Sequence, residues 1–314
     1  MNDGGIYMKI KKYIKALVKM MYDSDYRFLI LSGLGFYDKL DDESYLKRKY
    51  KACIKKDLNI ENPRTFNEKL QWLKLHDRKP EYTLMVDKYA VRQYIADSIG
   101  EEYLIPLLAV WDNPDDIDFD ALPDQFVLKC NHNSGTGMYI CKNKNGLDIT
   151  KVKFGLKKGL REDYYLRSRE WPYKKVPRKI VCEQYMEDSK VHELIDYKLM
   201  CFNGEVKCSF TCSERFSEDG LKVTFFDKDW KVMPFERHYP ASKNPPTKPI
   251  NYRKMIQFAE ELSKGIPFLR VDFYEINGQL YFGELTFYPG GGFEEFTPEE
   301  WDYRLGSWLQ LPKE

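Results

Sequence analysis

The segment from Phe268 to Phe287 restricts the possible fold more than any other. Two β-prone runs, Leu269-Arg270-Val271-Asp272-Phe273-Tyr274 and Tyr281-Phe282-Gly283-Glu284-Leu285-Thr286-Phe287, flank Ile276-Asn277-Gly278, a strong hairpin signal. A two-residue Asn277-Gly278 turn would pair Asp272 with Gly283 and send Glu284 to the opposite face. A three-residue Ile276-Asn277-Gly278 loop, with Gly278 left-handed, shifts the register by one. Arg270, Asp272, Glu284 and Thr286 then share one face, while Leu269, Val271, Phe273, Leu285 and Phe287 share the other. The second register sorts polar from apolar far better and is the expected one. It demands a covered core on one side and gathers two acids and an arginine on the other.

Two acids that close repel one another unless a cation sits between them. Mg2+ suits such a pair, because it takes a few hard oxygens together with phosphate oxygens. An exposed sheet face with a surface Arg–carboxylate pair explains the same pattern. The glycines after the second strand, Gly291 and Gly292, allow close backbone approach and favour a ligand.

Elsewhere the chain alternates helical and extended signals. Residues 43–57 read as a basic, solvated helix. Thr65 with Glu68 forms a capping box for a helix from Phe66 to Leu75, and a further helix is expected from Pro80 to about Ile99. Ile105 to Val110 is a strand, and the acidic stretch 112–120 is a loop. Phe126–Lys129 and Met138–Cys141 make a hairpin, followed by a helical stretch over 150–170. Strands are expected at 179–185, 196–202 and 205–210. Residues 240–250, with four prolines, form a loop, and a helix follows at 251–263. Strands returning through short turns, rather than βαβ alternation, make this α+β.

A second candidate site is Lys129 with the loop Cys130-Asn131-His132-Asn133-Ser134-Gly135-Thr136-Gly137. A lysine at a strand end and a loop of small residues can hold phosphate oxygens through ammonium and backbone N–H groups. The loop lacks the order of a Walker A sequence and returns to a strand, so an ordinary hairpin loop fits it as well. His132 reads as a polar loop residue.

Composition narrows the classes. The 314 residues are 43% hydrophobic with 19 Phe, 23 Tyr and 6 Trp, far too aromatic for a disordered chain. A net charge of +1 gives no electrostatic case for nucleic acid. Seven cysteines without a CxxC pair, and only four histidines, suggest neither a disulfide framework nor structural zinc, and fit a reducing cytoplasm. No apolar run nears the ~20 residues of a spanning helix, and lysines interrupt the start of the chain, so no secretory leader is expected.

Six ordered segments resemble the ATP-grasp superfamily and, within it, the TupA-like group of bacterial polysaccharide and teichuronopeptide biosynthesis. They are Pro63 to Lys74, Asp87 to Arg92, Phe126 to His132, Glu183-Gln184-Tyr185, Asp196-Tyr197-Lys198 with Cys201 to Gly204, and Arg270 to Tyr274 with Gly283 to Phe287. The resemblance implies an ATP-grasp fold, two α+β lobes clamping ATP, behind an N-terminal helical segment. It implies divisions at 1–60, 61–115, 116–186 (the lid lobe) and 187–314 (the lobe with the metal site). Lys88 and Lys129 would hold phosphates, Ser134, Gly135, Thr136 and Gly137 would form the lid loop, and Glu183, Gln184, Tyr185 and Met186 would meet the adenine. Asp196 or Lys198 would face ribose or phosphates, Asp272 and Glu284 would carry Mg2+, and Arg270 would act on the reacting carbonyl, with Lys198 as a further catalytic group. Thr286 stands where many members have Asn, which makes a single Mg2+ the simpler expectation.

The function so implied is an ATP-dependent carboxylate–amine ligase working through an acylphosphate. The subgroup suggests a uronic-acid carboxyl of a surface polysaccharide or its precursor, joined to an amino acid or other amine. A sugar kinase on the same fold, or a glycosyltransferase or silent scaffold of the same pathway, are the rivals. Residues 8–22 carry five lysines and no acid, with Ile6, Ile10, Ile14, Leu17 and Met21 on the opposite stripe. Residues 6–22 thus read either as an interfacial helix at the inner membrane or as one packed on the protein's own body.

Overall fold

A computed structural model describes residues 11, 15–189, 194–214, 217 and 220–313. After a helical stretch at residues 15–22 come helices α1 (Ser24–Gly33), α2 (Asp42–Ile54), α3 (Phe66–His76), α4 (Glu81–Val86) and α5 (Val91–Ile99). Strands β1 (Leu107–Trp111), β2 (Phe126–Cys130) and β3 (Met138–Cys141) follow, then α6 (Ile149–Arg161), α7 (Tyr164–Ser168) and β4 (Ile180–Gln184). The last part holds β5 (Asp196–Phe202), β6 (Glu205–Ser213), β7 (Lys222–Phe226), β8 (Glu236–Arg237) and α8 (Tyr252–Leu262). It ends with β9 (Phe268–Ile276), β10 (Gln279–Thr286), β11 (Phe296–Thr297) and α9 (Glu300–Trp308).

Two antiparallel sheets organise these elements, as expected of an α+β chain. One has the order β1-β4-β2-β3 and the other β10-β9-β5-β6-β7. Helix α6 covers the first sheet by burying Val152 and Leu156 with Phe126, Leu128 and Ile180. Helices α3, α5 and α8 cover the second through Phe66, Leu70, Ile95, Met255 and Ala259, packed with Leu199, Val271 and Phe273. Strand β1, inside the 61–115 division, is hydrogen bonded to β4 in the first sheet, whereas α3 and α5 of that division pack on the second.

Local chemistry explains several boundaries. The capping box is present, with the Glu68 amide donating to Thr65 Oγ1 (3.2 Å) and the Thr65 amide to Glu68 Oε2 (2.9 Å). The single helix expected over 80–99 is instead two, because Asp87 Oδ1 accepts from the amides of Tyr89 and Ala90 and stops α4. Helix α2 is not merely solvated, since Tyr45, Leu46, Tyr50 and Ala52 are buried. The 150–170 stretch is likewise split into α6 and α7.

The terminal hairpin corrects the expected turn but not the expected face. Asn277 (φ 51°) and Gly278 (φ 80°) make a two-residue turn closing Ile276 on Gln279. The register shift lies further along, at a bulge between Phe282 and Glu284 that leaves Gly283 unpaired. After it Glu284 pairs with Asp272 and Thr286 with Arg270. Polar/apolar alternation specifies only the parity of the register, and a bulge satisfies it as well as a longer loop.

Of the amphipathic stretch 6–22, residues 6–10 and 12–14 lie outside the described residues. Residues 15–22 are helical, and Leu17 and Met21 are exposed. No described helix is long and apolar enough to cross a membrane.

Candidate active site

The polar face of the second sheet is built in rows. Lys198 on β5 pairs with Asp272 on β9, which pairs with Glu284 on β10. The next row holds Arg270 and Thr286. Arg270 grips Asp272 through two arms, Nε to Oδ1 and Nη2 to Oδ2, both 2.7 Å, and its Nη2 reaches Glu284 Oε1 at 2.7 Å. Lys198 Nζ adds a contact to Asp272 Oδ2 at 2.5 Å, and the Thr286 hydroxyl donates to Glu284 Oε1 at 3.3 Å. Lys198 also stands 3.7 Å from Asp196.

The two acids are unequal. Asp272 is 1% exposed, and burial pushes its carboxyl up against the pull of Arg270 and Lys198. The bidentate grip is that of a carboxylate on a guanidinium, so Asp272 is ionised. Glu284 keeps 40% of its side chain open. Burial raises its carboxyl too, but Arg270, Lys198, Lys88 and the Thr286 hydroxyl outweigh that and hold it at about 2.

A cavity of about 490 Å³ separates this face from the first sheet. Lys129 and Glu183 sit diagonally on β2 and β4, with Lys129 Nζ 2.5 Å from Glu183 Oε2. Lys88 lies at the break between α4 and α5, half-buried, its Nζ donating to the Asn133 carbonyl at 2.6 Å. Burial lowers its pKa, partly offset by Glu284. The cavity brings together Lys88, Lys129, Ser134, Gly135, Thr136, Glu183, Gln184, Tyr185, Met186, Asp196, Lys198, Asp272 and Glu284. Arg270 and Thr286 face a neighbouring cavity that shares Glu284. Gly137 lines neither; it is buried where a Cβ would strike Cys130 Sγ at 2.7 Å, a packing position.

The loop after β2 divides into a structural half and an open half. Asn131, His132 and Asn133 are buried. Asn131 Nδ2 donates to Asp87 (2.7 Å) and to the Pro177 carbonyl (2.8 Å), tying the loop to the helix break. Ser134 and Gly135 are exposed over the cavity. Sequence reasoning gave Arg92 no role, yet its Nη1 stands 3.8 Å from Glu183 Oε1. Its one signal was its place four residues after Lys88, beyond a helix start.

The face also offers donors for a hard cation. Among the described residues no three His, Cys, Asp or Glu side chains gather as a metal cluster. Asp272, Glu284 and the Thr286 hydroxyl put two carboxylates and one neutral oxygen on one face, and a cation on Asp272 would have to displace the contacts that Arg270 and Lys198 make to both its oxygens. That set suits Mg2+, which completes its shell with phosphate and water.

Two facing antiparallel sheets, with lysines on one wall and a carboxylate row on the other, give the chain the ATP-grasp fold. A model of the TupA-like ATP-grasp family matches residues 68–310, and the chain belongs to that family. No curated protein matches it. Similar solved structures include D-alanine–D-alanine ligase from Bacillus anthracis complexed with ATP, at 13% identity and TM-score 0.40. That match covers 65% of this chain and 55% of the ligase. Another is N5-carboxyaminoimidazole synthase from Aspergillus clavatus in complex with ADP and 5-aminoimidazole ribonucleotide, at 12% identity and TM-score 0.40. It covers 79% of this chain and 56% of that one. The ATP-grasp ligase PsnB complexed with its minimal precursor matches at 9% identity and TM-score 0.37, over 70% and 59% of the two chains.

Proposed function

We propose that the protein is an ATP-dependent carboxylate–amine ligase that activates a uronic-acid carboxyl as an acylphosphate and joins it to an amine. The observation that carries this reading is one of adjacency. A cavity lined by Lys88 and Lys129 runs onto Glu284, and Glu284 also lines a second, larger cavity beside Arg270. A nucleotide and an acceptor can therefore meet at one carboxylate.

The chemistry needs no protein nucleophile. A carboxylate is a poor acyl donor because its leaving group would be oxide. An acceptor carboxylate oxygen takes the γ-phosphoryl group, and the bond from that phosphorus to the ADP oxygen breaks. Lys88 and Lys129 would bind the phosphate chain, and Mg2+ on Asp272, Glu284 and Thr286 would neutralise charge on the transferring group. The amine nitrogen then attacks the acyl carbon, the carbon–oxygen bond to phosphate breaks, and the nitrogen gives up its proton. Arg270 would stabilise the oxyanion. The buried Cys130 is unsuited to acyl transfer, since burial pushes its thiol up to about 11.

The test is phosphate release from ATP–Mg with D-glucuronate or UDP-glucuronate and a mixture of amino acids. Release is expected only when acid and amine are both present. ADP formed without free phosphate would indicate phosphorylation of a sugar hydroxyl and overturn the reading.

A further inference from the structure

Beside the nucleotide cavity lies one of about 940 Å³, and the two share Ser134, Tyr173 and Glu284. Its far wall comes from Ser32, Gly33 and Lys49 of α1 and α2, which precede the 68–310 span of the family match. Its floor holds Glu170, which is 6% exposed.

Glu170 is a largely buried carboxyl without a protein donor. No described residue places a hydrogen-bond donor or a cation in contact with its carboxylate, and burial pushes that carboxyl up. The cations nearest in effect are Lys74, Lys49 and Arg270, and all three are engaged elsewhere. Lys74 Nζ donates to Gln71 Oε1 (2.9 Å) and the Gly291 carbonyl (2.6 Å). Lys49 Nζ donates to the Arg167 carbonyl and to Ser168 Oγ. Arg270 holds Asp272 and Glu284. A largely buried carboxyl that opens on a cavity and meets no protein donor is a place for a donor from a ligand, since such groups are normally paired. The rings of Tyr164 and Tyr173, set edge to face at 4.7 Å, line the same cavity.

We infer that the Glu170 end of this cavity is the amine site, with Glu170 receiving the ammonium of a primary amine co-substrate and the tyrosine faces flanking it. An ammonium brings three donors and a positive charge to a carboxylate that has neither, and aromatic faces attract the same cation. The acceptor carboxyl would share this cavity at its Arg270 and Glu284 end, with the amine held at Glu170. The inference rests on the ligase reading, to which it adds the binding group for the amine and the role of the N-terminal helices.

The test is thermal stability of the full chain with AMP-PNP and Mg2+, then with glycine, D-alanine, L-alanine, L-glutamate, L-lysine or ethanolamine, each against its N-acetyl counterpart. At least one amine should raise the melting temperature of the nucleotide-loaded protein, and its acetylated form should not. Glu170→Gln should weaken that amine at least about tenfold, the loss of one charge-assisted hydrogen bond, with the AMP-PNP shift unchanged. Gly33→Trp serves as a second variant, since a Cβ there meets nothing within 4 Å. It should block the amine and spare the nucleotide. The inference falls if no amine stabilises the wild type, if acetylated forms do so equally, or if Glu170→Gln binds amine as the wild type does. Absence of the AMP-PNP shift itself would instead bring down the nucleotide reading beneath it.

Discussion

Asp272 and Glu284 are neighbours across two strands, yet they differ in what their removal would do. The sequence places both on a polar face outside the core, which suggests that either could be neutralised without harm to the fold. The structure separates them. Asp272 is enclosed, and neutralising it leaves Arg270 with only the half-open Glu284 and Lys198 with only the more distant Asp196. Breaking a buried ion pair from one side costs about 3–5 kcal/mol. Glu284 is open enough that its pair with Arg270 contributes only about 0–1 kcal/mol. Glu284→Gln should therefore abolish ATP turnover while the urea midpoint barely moves. Asp272→Asn should lose turnover and a large part of the stability together. Paired urea and turnover measurements decide it, and a Glu284→Gln variant with near-wild-type turnover would remove the metal assignment.

At the level of elements, the register of the β9–β10 hairpin depends on Gly283. A Cβ at that position would meet the Asp272 carbonyl oxygen at 3.1 Å and the Tyr274 ring at 3.2 Å, so a side chain must push β10 away where Glu284 is set beside Asp272. Gly283→Val is expected to cost about 1–3 kcal/mol by overpacking and to weaken nucleotide binding, read by calorimetric titration with AMP-PNP and Mg2+. Unchanged binding would show that the bulge does not position the acids. The same hairpin shows what a sequence discloses. Alternation told which residues share a face, because misplacing the apolar set would bury Asp272 and Glu284 among Leu and Phe. It could not tell a longer loop from a bulge, since both give the same parity. Thr65 and Glu68 were legible because a capping box is written in four residues. The break at Asp87 was not read, although the side-chain bonds that make it, to the amides of Tyr89 and Ala90, are local; the contact from Asn131, forty-four residues later, that ties it to the loop after β2 has no local signal. Glu170 and Lys49 were invisible as a site for the same reason. Each reads locally as one more charge on a polar stretch, and only the packing of α1 and α2 brings them to one cavity.

On the scale of the whole molecule, the N-terminal helices are part of the body. Phe28, Tyr45, Leu46 and Tyr50 form a core of their own with Phe293. Arg169, 2% exposed, reaches into them from the opposite side. It donates to the carbonyls of Tyr37 (2.9 Å), Asp38 (3.1 Å) and Leu40 (3.1 Å), and its guanidinium lies 4.4 Å from the centre of the Tyr45 ring. A chain starting at Glu61 would strip these acceptors from a buried cation. It would also lose the burial of Phe28 and Leu46 at about 1.5–3 kcal/mol each. Those losses are comparable with the whole stability of a domain, about 5–15 kcal/mol. A chain starting at Asp23 keeps every one of these contacts and removes only the stretch in which Leu17 and Met21 are exposed. The expected outcome is a cooperative thermal transition for the Asp23 form within a few degrees of the full chain, and none for the Glu61 form. Cooperative melting of both at the same temperature would mean that the family-matched region stands alone and that α1 and α2 are an appendage. Loss of the transition in the Asp23 form would place stabilising contacts ahead of α1. If the Glu61 form alone fails, the wall of the second cavity is held by the same contacts that hold the fold.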